Sequence, residues 1–155
     1  MPATSIGWVH FVFAIAAIVV GAGLALLPKA TRAHVWMGRG YATLMVGLNA
    51  TAFMLYNLFG HFGPFHFAAL VSLVTVVMGW IPVRRRRPAK WIEHHALWMS
   101  WSYVGLLAAA AAETLSRIPD APFWGMVVGA SLAVVAIGAL VIRSRVPRIL
   151  ARFGA

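Results

Sequence analysis

Five long apolar runs joined by short links constrain this chain more than any other feature. They cover about 5–27, 35–59, 65–82, 92–115 and 123–142. Each is close to the roughly 20 residues that a helix needs to cross a bilayer. The links read "PKATRAH", "GHFGP", "VRRRRPAKW" and "SRIPDAP", and proline in or beside each of them marks helix ends. Only 10% of the 155 residues are charged and 62% are hydrophobic, whereas a soluble domain has about a quarter of its residues charged. The expected fold is an all-α integral membrane protein. A four-helix antiparallel core bundle with a fifth packing helix would form one domain over residues 1–155. The first run has no Lys or Arg ahead of it and exceeds a signal-peptide core in length, so it reads as a retained helix.

The net charge of +10 could suggest nucleic acid, but the cations lie in the links and not along one face. Twelve of the thirteen Lys and Arg residues fall on one side of the expected membrane, leaving Arg117 alone on the other. The bias of basic residues toward the cytoplasm places the N-terminus outside and the C-terminus inside. Trp8 and Trp124 then sit near the outer interface, and Trp36, Trp80 and Trp91 near the inner one. The tail 143–155 reads as a basic strip against anionic headgroups. The lipid bilayer is thus the first partner, and nucleic acid is excluded. With no cysteine in the chain, disulfides, thiolate metal sites and thiol redox chemistry are excluded as well.

The six histidines sort by depth. His10, His61 and His66 belong to the outer side, and His34, His94 and His95 to the inner side. Taken singly, each reads as a hydrated interfacial residue. Taken in pairs, His10 with His66 and His34 with His95 lie on the diagonals of an antiparallel bundle. Iron in haem b accepts imidazoles from opposite sides, and a bundle core accommodates such sites. Between His10 and Leu27 lie about 25 Å of helix, enough for two porphyrins along the axis.

His95 is preferred over His94 because it shares a stripe with Met99, Ser102, Leu106, Ala109 and Glu113. His94 shares its stripe with Trp98, Trp101, Gly105 and Ala108, which suits lipid or helix packing. A parallel stripe on the second run holds His34, Gly38, Tyr41, Met45 and Asn49, and Asn49 reads as interhelical glue. Arg39 is placed to meet haem propionates or to pair with Glu93. Glu113 lies level with the outer histidines. It either pairs with Arg117 one turn on or joins His10 and His66 in a site for Zn, Cu or Fe. Gly125 and Gly129 form a GxxxG, which suits packing within the bundle or in a homo-oligomer.

Two motifs, Lys-x-Thr-x-x-His-x-x-x-Gly-Arg-x-Tyr in "KATRAHVWMGRGY" and His-x-x-Trp-Met-x-x-Ser-Tyr in "HALWMSWSY", join His10 and the "FGPFH" turn. Together they resemble a widespread family of bacterial predicted membrane proteins of unknown function. The histidine layout is more distantly similar to that of two-haem transmembrane b-type cytochromes. The family resemblance spans the first four runs and adds weight to His34, Gly38, Arg39, Tyr41, His95, Trp98, Met99 and Tyr103. It departs at Trp101, where the family often has Arg, and near Glu113, where it often has a basic residue. It implies the bacterial inner membrane as the location.

Three functions stay open. The first, and the one adopted, is a membrane haem b electron-transfer protein working with a quinone or another redox partner. The second is a His and carboxylate metal site built from His10, His66 and Glu113. The third is a non-catalytic accessory or assembly subunit. The cofactor residues expected for the first are His10, His34, His66, His95, Arg39, Tyr41 and Met99.

Overall fold

The structure is a computed structural model that describes residues 4–56, 60–86 and 90–153. Its elements are α1 (Ser5–Leu26), α2 (Arg32–Ala52), α3 (Pro64–Arg85), α4 (Trp91–Leu115) and α5 (Phe123–Ala151). There is no strand among the described residues.

The sequence supplies the helix ends locally. The Thr4 hydroxyl accepts from Gly7 N at 3.1 Å to start α1, and the Thr31 hydroxyl accepts from His34 N at 3.1 Å to start α2. Each satisfies one of the N–H groups that a helix start leaves without a partner. At the end of α1, the Lys29 ammonium donates to the carbonyls of Leu24, Ala25 and Leu27. A cation there suits the negative end of the helix dipole. Its partial burial pushes Lys29 below the ordinary lysine pKa, because desolvation penalises the charged form. Pro64 opens α3, where its fixed φ fits and its missing N–H costs nothing.

Among the described residues three helices, α1, α3 and α5, are long and apolar enough to cross a membrane, where the sequence pattern led to an expectation of five. The difference lies in polar load. Arg32, His34, Arg39 and Asn49 dilute α2, while Glu93, His94, His95, Ser100 and Ser102 dilute α4.

Boundaries differ at two places. The α2 helix stops at Ala52, short of the expected 59, and residues 57–59 lie outside the described residues. There the Thr51 hydroxyl turns back onto the carbonyls of Gly47 and Leu48, while the N–H of Phe53 is shared between Asn49 O and Thr51 O. At the other end of the chain, α5 does not stop at 142 but continues through Pro147 to Ala151. Ile142, Val146 and Leu150 recur every fourth residue and form a buried cluster with Val104, against which Ile92, Ala96 and Leu97 pack. Pro147 and the flanking Arg143, Arg145 and Arg148 are on the exposed side, where the carbonyl that Pro147 leaves unbonded can be hydrated. The segment expected to be a basic strip is therefore, for most of its length, an amphipathic extension of the helix. At 29 residues, α5 measures about 43 Å.

The chain divides into two compact units, Met1–Leu73 and Val74–Ala155. In the first, α1 packs on α2 through small residues. A Cβ on Gly47 would lie 2.9 Å from the Phe13 ring, and one on Gly23 would lie 2.8 Å from Met37 Cε. In the second, α4 packs on α5, with Gly138 against Val104 so closely that a Cβ would meet both Val104 methyls at 2.5 and 2.6 Å. Small residues at these crossings let the backbones approach, which is how helices gain contact where no hydrophobic force drives them together.

Candidate functional site

In the first unit, two expected site histidines are fastened to one short segment at the end of α2. His10 Nδ1 lies 3.0 Å from the Thr51 hydroxyl oxygen. Thr51 has a single proton, which points to the carbonyls of Gly47 and Leu48 at 3.0 and 2.9 Å. The bond to His10 therefore runs from Nδ1–H to Thr51 Oγ1, and the neutral ring carries its lone pair at Nε2.

His66 is built the other way round. It is the third residue of α3, and its Nδ1 accepts from the N–H of Gly63 at 3.1 Å. A side chain at this position reaching back to the residue before the helix is one half of a capping box, with imidazole in place of the usual Glu or Gln. Nδ1 therefore has no proton, and the neutral ring holds it on Nε2. That Nε2 is buried and has no hydrogen-bond partner among the described residues. The ring is enclosed by Phe62 at 4.8 Å, Tyr56 at 4.7 Å and Phe53 at 6.4 Å, inclined to it by 27°, 33° and 32°. Only 3% of His66 is exposed. The signal for this cap was in "GPFH": proline at the first helical position and an acceptor two residues on.

Also in this unit, Tyr41 and Met45 are buried, and Asn49 donates to Met45 O at 2.8 Å and to Ser72 Oγ at 3.2 Å. Asn49 thus ties α2 to α3, as glue of the expected kind. His34 is half-buried at the start of α2. Arg39 is exposed and lies over the Trp36 ring at 5.1 Å, a cation–π contact of a kind repeated by Arg84 over Trp80 at 4.6 Å.

In the second unit, His95 Nδ1 lies 2.8 Å from Gly79 O. A carbonyl only accepts, so Nδ1 carries the proton and Nε2 the lone pair. Pro82, one turn beyond Gly79, lacks an N–H and so leaves the carbonyl of Met78 without its helical donor, next to the Gly79 carbonyl that His95 meets. The α3–α4 approach at this point is close, since a Cβ on Gly79 would lie 2.5 Å from Met99 Sδ. Met99 therefore fills the notch that Gly79 leaves. Ser102, two turns from His95, is almost wholly buried. His94 is exposed and its Nδ1–H bonds to Lys90 O at 2.8 Å on its own helix. His61, also exposed, bonds to Phe62 O at 3.0 Å.

Both glutamates have local partners. Glu93 pairs with Lys90 at 3.8 Å, and Glu113 pairs with Arg117 one turn on, with both side chains about half exposed. No group of three His, Cys, Asp or Glu is gathered for a metal ion among the described residues; of the expected trio, His10 and His66 belong to the first unit and Glu113 to the second. Gly129 faces open space, and a Cβ on Gly125 would touch only Pro122.

A family model described as Predicted membrane protein (DUF2306) matches residues 7–151. No curated protein and no solved structure matches the chain.

Proposed function

The chain belongs to the family described as Predicted membrane protein (DUF2306), and from that premise we propose that it is a membrane haem b protein that carries electrons. The observation that carries this reading is the state of His95. Its Nδ1–H is committed to Gly79 O at 2.8 Å, the arrangement that fixes and orients metal-ligating imidazoles by leaving Nε2 as the coordinating atom. His10, held by Thr51, has the same polarity. A porphyrin brings four ligands of its own and needs only one or two from the protein. The described residues offer imidazoles singly, with no three-residue metal cluster, so haem suits this donor set better than Zn, Cu or Fe held by side chains alone.

His66 does not fit the ligand role first expected of it. Its Nδ1 accepts a proton from Gly63 N–H, so the neutral ring presents an N–H at Nε2 and not a lone pair. In this reading His95 would hold the haem through Nε2, His10 would offer the same lone pair in the other unit, and haem when bound would supply one-electron redox chemistry. Arg39, exposed beside Trp36, remains available to an anionic propionate or headgroup.

We place all five helices across a bacterial inner membrane with the N-terminus outside, since α2 and α4, at 21 and 25 residues, have the length to span. A non-catalytic accessory role draws on one specific observation: Met99, Glu113 and His66 each have a structural task.

Spectroscopy of the protein purified in mild detergent separates these readings. Haem b gives a Soret band that shifts on reduction. A colourless protein holding stoichiometric Zn or Cu would replace the haem reading with a metal one. Neither signal, in cells supplied with haem, would leave the accessory role.

A further inference from the structure

His66 poses the sharpest unanswered chemical question in the molecule. A buried donor without an acceptor is costly to leave in a fold and rare in native proteins. The Nε2–H of His66 is such a donor among the described residues, and it cannot turn to satisfy itself, because Nδ1 is engaged by Gly63 N–H at 3.1 Å. The ring is also held by near-parallel aromatic neighbours, Phe62 and Tyr56 at centroid distances of 4.8 and 4.7 Å. A hydrogen bond from Nε2 must lie in the imidazole plane. The acceptor that completes this site therefore enters edge-on between inclined aromatic walls.

We propose that this site binds a quinone, with one ring carbonyl accepting from His66 Nε2–H and Phe62 and Tyr56 flanking the flat head group. A quinone combines the three properties the site asks for: a neutral carbonyl acceptor, a planar ring, and solubility in the apolar phase. The route in is apolar as well. Phe62 and Tyr56 are 46% and 42% exposed, so the walls themselves stand at the surface, and exposed Phe67 continues the apolar face along α3. The proposal shares with the haem reading only the placement of α1 and α3 in the bilayer.

The test uses the full-length protein in detergent micelles with decyl-ubiquinone as probe, followed by quenching of tryptophan fluorescence. The wild type binds saturably with one quinone per chain. His66→Leu keeps the apolar packing but has no donor at the Nε2 edge, whereas His66→Gln accepts from Gly63 N–H, as Gln does in a capping box, and keeps an amide N–H to donate. His66→Leu binds at least tenfold more weakly, and His66→Gln, with a thermal midpoint close to that of the wild type, binds within severalfold of it. Phe62→Leu weakens binding severalfold. His95→Ala, which removes haem in the reading above, leaves quinone binding intact. Binding by a colourless protein therefore sinks the haem reading alone, and haem without quinone binding sinks this one alone. The proposal is overturned if decyl-ubiquinone shows no saturable binding, if His66→Leu binds as tightly as the wild type, or if oleate occupies the site in place of the quinone.

Discussion

His66 and His95 each make one ring-to-backbone hydrogen bond through Nδ1, and the two bonds run in opposite directions. His66 accepts from Gly63 N–H at a helix start, where N–H groups are in surplus. His95 donates to Gly79 O, near a proline that interrupts the ladder of α3. The same side chain is thus set to opposite polarity by the backbone group it meets. One ring is left with a lone pair at Nε2, the other with a proton. That difference decides what each neutral ring can bind through Nε2.

The largest expected effect breaks or upholds the ligand half of this comparison. His95→Ala should lower haem content at least tenfold, measured by pyridine haemochrome per mole of protein, while His66→Gln retains it. Equal haem loss in both variants would mean that the tautomer argument does not separate them. Selective ¹⁵N labelling of histidine offers a direct reading of the same point, with His66 protonated at Nε2 and His95 at Nδ1.

The next effect concerns the support behind His95. Gly79→Ala places a Cβ 2.5 Å from Met99 Sδ and 3.3 Å from Met99 N. The thioether can yield but the backbone cannot, so a loss of about 1–3 kcal/mol is expected, the usual range for overpacking. Thermal unfolding in detergent measures it. If helix separation also lengthens the bond to Gly79 O, haem content falls in parallel. Gly79→Ala paired with Met99→Ala should recover most of the stability, and failure to do so would place the strain at Met99 N.

What the sequence made legible follows from which interactions are local. The membrane class, the links and the choice of His95 over His94 all rest on periodicity within one segment. The cap at His66 was also local, written in Pro64 and the acceptor at the third position, but a histidine in a membrane chain invites the ligand reading first. The polarity of His95 could not be read, because it depends on Gly79, sixteen residues away on another helix. The continuation of α5 was obscured by Pro147 and four arginines, although Ile142, Val146 and Leu150 kept the helical spacing throughout.

A smaller effect addresses the cap itself. His66→Leu preserves the apolar packing with Phe62 and Tyr56 but leaves Gly63 N–H without its acceptor. Loss of a cap costs about 1 kcal/mol, and an unsatisfied buried N–H costs about 1–3 kcal/mol. A midpoint lowered by several degrees is expected for His66→Leu, with His66→Gln close to the wild type. If Leu is as stable as Gln, the bond to Gly63 contributes nothing, and the ring is held by its aromatic neighbours alone.

The smallest effect tests the facing of α4. His94 has the same neighbours in sequence as His95, yet it is exposed and spends its Nδ1–H on Lys90 O of its own helix. Truncating it removes one exposed hydrogen bond and uncovers no buried group. His94→Ala should therefore change stability by no more than about 0.5 kcal/mol, the range of surface substitutions away from special features, and leave haem content unchanged. Successive residues on a helix point about 100° apart, so an error in the facing of α4 cannot be small in its consequences. Were His94→Ala to empty the protein of haem and His95→Ala to spare it, the helix would have to be turned by one residue. Gly79 O would then lose its donor, and the stripe from His95 through Met99 to Ser102 would face away from α3.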